Sequence, residues 1–221
     1  MKMIKALWNK KTFQRMFLNG IVEKLDIRNK TILDIGGGNK ASSYHVILSK
    51  KNNKFISVDI TDNCDYKVDL EKESLPFEDS SVEIIFCFNV MEHIFNYQHL
   101  LNEMYRVLKQ DGVLYFYVPF LINKHADPHD FFRYTDNALC KLFTNTGFNS
   151  VEIKTLYGSG KNVHFSISWI ISNNKLMYLG NFLNVVSGLL FNMIDALLNK
   201  FSTTKDINKK YILGIYMEII K

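Results

Sequence analysis

Cysteine is scarce in this chain, and its placement excludes several classes of protein. Only three cysteines occur in 221 residues, at Cys64, Cys87 and Cys140, and they form no C-x-x-C pair. An odd, scattered set argues against a disulfide framework and against a structural zinc site. Because such cysteine usage is typical of a reducing compartment, we expect a cytoplasmic protein.

Long apolar runs are missing as well. The first eleven residues, MKMIKALWNKK, carry charge and only a short apolar stretch, so we expect no secretory signal peptide. No run approaches the roughly 18 uninterrupted apolar residues of a membrane-spanning helix. The sequence therefore predicts a protein that does not cross a membrane, although peripheral contact with one stays open.

Charge of one sign is in only modest excess. The net charge is +5 and 22% of the residues are charged, which suits an anionic partner or a membrane surface without specifying either. The sequence has no basic patch interleaved with aromatic residues, so nucleic acid is not expected as a partner. The hydrophobic content of 47% is ordinary globular composition, and the length suffices for one α/β domain.

Strand and helix patterns alternate along the chain. Short apolar strand patterns occur at 31–35, 55–58, 82–88, 113–118, 151–157 and 211–220. Helix patterns lie between them, including one in which Leu100, Leu101, Met104, Val107 and Leu108 share a face. This alternation predicts an α/β protein built on a mostly parallel sheet.

Two segments stand outside the alternation within a single domain, 1–221. A helical lead-in is expected within 1–30, and an apolar helical insertion at 162–205 precedes the last strand. Polar residues recur along the insertion as a narrow stripe. The insertion either packs on the domain, caps the active site, or presents 176–201 to a second copy or a membrane interface. Interfacial helices usually carry more Lys and Arg than this one.

A glycine turn and an acidic residue suggest a nucleotide-containing ligand. The strand that contains Asp34 is followed by Gly36, Gly37 and Gly38, which bring bare backbone close to a ligand. Asp59 ends the next strand, where an acid in a nucleotide-binding sheet accepts both ribose hydroxyls. The spacing leaves the cofactor open, because it also fits the dinucleotide fingerprint of nicotinamide-dependent oxidoreductases. However, no Tyr-x-x-x-Lys pair or similar hydride-transfer set is found.

Four blocks, in order, resemble the class I S-adenosylmethionine-dependent methyltransferases between 31 and 148. They are LDIGGGNK, VDI, the Asp-Leu pair followed by LPFEDSSVEIIFCFNVMEHI, and VLKQDGVLYFYVPF. The resemblance implies a Rossmann-like, mostly parallel, seven-stranded sheet with helices on both faces and an antiparallel last strand. It also implies S-adenosylmethionine as the methyl donor.

The resemblance assigns a role to each cofactor-site residue. Asp34 would order the methionine end, Gly36 to Gly38 would allow its approach, and Asp59 with Ile60 would hold the ribose. The adenine would lie at Asp69 and Leu70, and the sulfonium beside Asn89. The chain departs from the family at Asn39-Lys40, where a glycine is usual. Lys40 keeps open a non-catalytic partner subunit that has the fold without turnover.

The Glu92-His93 pair has two interpretations. It is similar to the pair with which ubiquinone-type O-methyltransferases hold a divalent metal. In this chain Asn89 stands where a further acid is expected, so the set is incomplete and no metal is predicted. His93 is then either a general base or a structural or cofactor-contacting residue.

The loop after the fifth strand of the family pattern contains HADPHDFFRYT, which starts at His125. It resembles the HDxxRxT signature of methyltransferases often found with surface-polysaccharide biosynthesis proteins. Ligands bind beyond the carboxyl ends of such strands, so His129 or Asp130 is a candidate base and Arg133 a further catalytic candidate. Alternatively, Asp130 and Arg133 brace the loop and Thr135 caps the next helix. The His125, Asp127 and His129 set is a weaker metal candidate. The expected reaction is methyl transfer to a hydroxyl of a sugar, lipid-linked or other small-molecule acceptor.

Overall fold

The computed structural model describes residues 2–9, 11–38, 42–125, 128–157, 164, 177–201 and 211–221. The helices are α1 (Lys2–Trp8), α2 (Phe13–Lys24), α3 (Ser43–Ser49), α4 (Tyr97–Val107), α5 (Asp136–Thr146) and α6 (Met177–Phe201). The strands are β1 (Thr31–Ile35), β2 (Lys54–Asp59), β3 (Tyr66–Lys67), β4 (Val82–Phe88), β5 (Leu108–Pro119), β6 (Ser150–Tyr157) and β7 (Ile212–Ile220). A short 3-10 turn, Met91–His93, follows β4.

All seven strands form one sheet in the order β3-β2-β1-β4-β5-β7-β6. Strands β1 to β5 are parallel, and β1 lies between β2 and β4. The backbone N–H of Asp111 donates to the carbonyl of Lys221, and that of Phe120 to the carbonyl of Leu213. Residue numbers thus rise along β5 while those of its partners in β7 fall, so the two strands are antiparallel. The predicted fold class is confirmed.

Two details of the sheet differ from the sequence prediction. Leu108, predicted on the apolar face of α4, is instead the first residue of β5 and pairs with Val82. The register then shifts before Ile84, and Asp111 adopts a positive φ of 61° within the bulge. The Asp-Gly turn is therefore part of the strand. Strand β3 has only two residues, too few for an alternating pattern to reveal.

The chain divides into two compact units. One comprises 21–119, 124–154 and 215–221 and contains strands β1 to β5. Its interior consists of apolar side chains of the sheet and of the helices on it, among them Ile32, Ile85, Phe86, Met104 and Phe143, all fully buried. Burial of β4 on both faces explains its almost continuous apolar sequence.

The other unit comprises 1–20, 120–123 and 155–214. In it α6 buries two residues of its polar stripe, Asn184 and Asp195, and the Asn184 amide donates to the carbonyl of Leu7. Exposed residues on α6 include Phe182, Leu190 and Met193. The predicted helical character of the insertion is seen over 177–201, while the rest of it lies outside the described residues. Its role, like the single-domain organisation, stays a prediction.

None of the helices in the described part of the chain is long and apolar enough to cross a membrane.

Candidate functional site

The glycine turn after β1 needs glycine for two reasons. Gly36 and Gly38 have φ values of +70° and +46°, in the left-handed region that L side chains rarely adopt. A Cβ on Gly36 would also overlap the side chain of Val90, and one on Gly37 would overlap the Asp34 carboxylate. The Val90 and Asp34 side chains therefore pack against one side of the turn, and the bare backbone on its other side faces a cavity.

Asp34 lies beneath this turn and is completely buried. Its carboxylate accepts hydrogen bonds from the Tyr44 hydroxyl at 3.0 and 3.2 Å and pairs with His45 Nε2 at 2.5 Å. Burial raises the pKa of Asp34, and the bonds from His45 and Tyr44 offset part of that effect. The described structure thus gives Asp34 a supporting position under the loop. Tyr44 and His45 were not predicted from the sequence. The sequence feature that could have indicated them is a pair of polar rings in the first turn of α3.

Asp59 closes the other side of the turn. Its Oδ2 accepts the N–H of Gly38 at 3.0 Å, and its Oδ1 accepts the N–H of Thr61 at 3.0 Å. These two bonds fix the carboxylate at the end of β2. Because each carboxylate oxygen can accept more than one hydrogen bond, both retain capacity for a ligand hydroxyl.

Asp69 and Asn89 come from two further strand ends. Asp69 accepts the N–H of Glu71 at 3.0 Å and the ammonium of Lys72 at 2.9 Å, and these bonds hold the pKa of Asp69 below its usual value. Asn89 follows β4 in the left-handed region, with φ 57°, and donates its N–H to the Tyr117 carbonyl at 2.9 Å. Asparagine tolerates this conformation better than most residues do.

These elements enclose a cavity of about 960 Å³ at the carboxyl ends of the parallel strands. The predicted cofactor residues that line it are Gly36, Gly37, Gly38, Asp59, Ile60, Asp69, Leu70 and Asn89. The same cavity is lined by His93, Phe95, Pro128, His129 and Phe131. Residues predicted for the donor therefore share one cavity with residues predicted for the acceptor.

The loop that contains His129, predicted to face the acceptor, is braced by an ion pair. Arg133 donates to both carboxylate oxygens of Asp130, at 2.5 and 2.7 Å, and the His125 N–H donates to Asp130 at 3.0 Å. The Arg133 guanidinium lowers the pKa of Asp130 to about 2, which makes this carboxylate a weak base. Thr135 accepts the N–H of Ala138 at 3.2 Å and caps α5. This geometry fits the bracing alternative for Asp130 and Arg133, whereas His129 faces the cavity.

The Glu92-His93 turn is tied to the same loop. His93 Nδ1 lies 2.5 Å from the His129 carbonyl, and the Glu92 carbonyl accepts the N–H of Phe131 at 2.9 Å. The Glu92 carboxylate is completely buried, and burial raises its pKa to about 8. Asn39, Lys40 and Asp127 lie outside the described residues, so their predicted effects stay predictions.

Comparisons with known proteins agree with this geometry. Residues 33–116 match the family described as "Methyltransferase domain". A SAM-dependent methyltransferase from Archaeoglobus fulgidus has a similar structure, with a TM-score of 0.63 and 16% identity over 94% of this chain and 93% of that one. Phosphoethanolamine N-methyltransferase 2 from Haemonchus contortus, in complex with S-adenosyl-L-methionine, has a TM-score of 0.60 and 16% identity, over 94% of this chain and 52% of that one.

The match to a sequence relative covers a much smaller part of this chain than the structural matches do. An uncharacterised protein of Methanocaldococcus jannaschii is 46% identical over 52 residues, which are 24% of this chain and 21% of that protein. The match thus spans about a fifth of the curated relative. Residues 33–116 thus resemble a methyltransferase domain, and the fold is similar to that of solved S-adenosylmethionine-dependent methyltransferases. The domain match favours S-adenosylmethionine over the nicotinamide cofactor that the glycine spacing left open.

Proposed function

We propose that the chain transfers a methyl group from S-adenosylmethionine to a hydroxyl of a sugar, lipid-linked or other small-molecule acceptor. The observation that supports this is the shared cavity, which brings the glycine turn and Asp59 together with His129. The residues fit the donor: Gly36 to Gly38 line the cavity with backbone that carries no side chain, and Asp59 retains acceptor capacity for the ribose.

When bound, the donor supplies an electrophilic methyl group on its sulfonium. The chain must then hold the acceptor oxygen in line with that methyl group, exclude water and remove the hydroxyl proton. His129 is exposed at the cavity, and histidine is the residue type suited to take a proton near neutral pH. The Asp130–Arg133 pair and the backbone bonds to Glu92 keep the His129 segment in place.

Aromatic side chains suggest how the acceptor is held. Phe95 and Phe131 line the cavity, yet they are 63% and 41% exposed, and their rings meet edge to face at 5.3 Å. Phe132 stacks on Phe95 at 5.8 Å. Exposed aromatic rings at a cavity mouth are typical of a binding surface. We propose that they contact the apolar face of a sugar ring or the chain of a lipid-linked acceptor.

The test is methyl transfer from labelled S-adenosylmethionine to a panel of sugar nucleotides, lipid-linked sugars and small amines. We expect label on oxygen, and a roughly 10²–10⁴-fold lower kcat in His129→Ala with unchanged affinity for S-adenosylhomocysteine. His99→Ala is the matched control, because His99 lies on α4 with its Nε2 at the Glu73 carbonyl. Label found only on amine nitrogen, or a His129→Ala variant as active as wild type, would contradict the proposal.

A further inference from the structure

Three side chains able to ligate a metal ion meet beside the cavity, which one of them, His93, lines. One ligand atom from each of Glu92, His93 and His125 lies within 4.8 Å of the others. Glu92 Oε1 is 3.7 Å from His93 Nε2, and the His93 and His125 rings meet edge to face with centroids 4.9 Å apart. His125 comes from the loop after β5 and the other two from the turn after β4, so the tertiary structure assembles the set.

The Glu92 carboxylate lacks the partners that burial demands. It has no exposed surface, and within the described part of the chain no other residue donates a hydrogen bond to either of its oxygens. A buried carboxylate in this state is costly unless it is neutralised or coordinates a cation. The cation whose charge acts on Glu92 is Arg133, but its guanidinium is engaged with Asp130. A metal ion beside Glu92 would supply the missing partner.

The orientation of His93 suits a metal ligand. Its Nδ1 lies 2.5 Å from the His129 carbonyl, which can only accept, so the ring proton is on Nδ1. The lone pair is then on Nε2, the nitrogen near Glu92. Metal-ligating histidines commonly donate their other ring N–H to a backbone carbonyl in this way. The side chain of His129 does not take part in this bond.

We propose that Glu92, His93 and His125 bind one divalent transition-metal ion. Two imidazole nitrogens and one carboxylate suit ions such as Zn²⁺ and Mn²⁺ better than Mg²⁺ or Ca²⁺, which prefer oxygen ligands. Ligand bonds of about 2.1 Å separate ligand atoms by roughly 3.0–3.6 Å. The Glu92–His93 spacing of 3.7 Å is close to this, and the ligand atoms of the full set, which lie within 4.8 Å of one another, would have to approach more closely on binding. The proposal replaces the sequence prediction of no metal, which weighed the Glu92-His93 pair and the His125 set separately and not together.

An ion with three protein ligands keeps open positions. An acceptor hydroxyl in one of them would be oriented at the cavity and would lose its proton more easily. His93 would then be a ligand, and His129 would remain the residue that receives the proton. This role rests on the proposed function, whereas the binding of the ion does not.

The test is calorimetric titration of the full-length, tag-free, chelator-treated protein with Zn²⁺, Mn²⁺ and Mg²⁺. We expect one Zn²⁺ per chain with a micromolar or lower Kd, and much weaker binding of Mg²⁺. Glu92→Gln and His125→Ala should each weaken Zn²⁺ binding at least tenfold, while His99→Ala should not. Affinity for S-adenosylhomocysteine, measured in parallel, shows that each variant is folded.

The outcomes separate the two proposals. Absence of Zn²⁺ and Mn²⁺ binding below millimolar concentration, or equal Zn²⁺ affinity in wild type and His125→Ala, overturns the metal site. His125 lies in a loop, so this variant remains informative if Glu92→Gln fails to fold. Ion binding without methyl transfer to any hydroxyl would refute the proposed function but would still support the metal site. Hydroxyl methylation that is insensitive to chelation and to His125→Ala would overturn the role of the ion.

Discussion

Replacement of Asp59 by Asn tests how the cavity holds the donor. The carboxylate is fixed by the N–H groups of Gly38 and Thr61, each at 3.0 Å, and presents its remaining acceptor capacity to the cavity. Asn keeps the size of the side chain, but it removes the charge and exchanges one acceptor for a donor. Charge-assisted hydrogen bonds contribute about 1.5–3 kcal/mol. The Kd for S-adenosylhomocysteine should therefore rise roughly 10- to 150-fold.

The assay is calorimetry with two ligands, S-adenosylhomocysteine and its analogue without the 2′-hydroxyl. Wild type should bind the analogue more weakly, whereas Asp59→Asn should bind both ligands about equally, because the partner of the hydroxyl is already lost. Asp62→Asn is the control, since Asp62 is exposed and paired with Lys67. Equal affinities of wild type for the two ligands, or additive losses, would refute the assignment of Asp59 to the ribose.

Three further predictions concern stability. Gly36→Ala should lower the free energy of unfolding by about 1–2 kcal/mol and abolish binding of S-adenosylhomocysteine, because of the positive φ and the overlap with Val90; normal stability by urea denaturation would argue against this packing. Asp130→Asn and Arg133→Gln should each cost about 2 kcal/mol and together clearly less than the sum, and a double-mutant cycle by urea denaturation measures the coupling. Burial lowers the pKa of His164 to about 4, so the folded state resists protonation of this ring. The contribution of His164 to the free energy of unfolding should therefore be fully present above pH 6.5 and fall by about 2–3 kcal/mol towards pH 4. Urea denaturation of a His164→Phe variant should show a correspondingly smaller loss of stability over this pH range.

The cavity residues proposed to hold the donor could largely be located from the sequence. The glycine turn, Asp59 and Asn89 all stand at the ends of apolar strand patterns, and parallel strands bring their carboxyl ends to one edge of the sheet. Backbone groups and residues at strand ends occupy positions that topology alone determines. The buried position of Asp34 under the turn could not be predicted in this way, because it depends on Tyr44 and His45 from the following helix.

The arrangement of the loop residues proposed to face the acceptor depended on the tertiary structure. Sequence spacing left Asp130 and Arg133 with two roles, and only their 2.5 and 2.7 Å contacts favour the bracing one. The fold also brings His125 to Glu92 and His93, across a separation in sequence that no local pattern spans.

The sequence by itself determined the α/β class, because the alternation of apolar strands and helices leaves a parallel sheet as the stable arrangement. It also determined the glycine turn and the acid opposite it, since both are local consequences of strand ends. Only the tertiary structure decided which polar side chains lie buried and paired. On α6 it buried the polar Asn184 and Asp195 and left apolar residues exposed, and the Asn184 amide finds its acceptor on another helix, at the Leu7 carbonyl. Burial and pairing are properties of contacts between distant segments, which no single segment encodes.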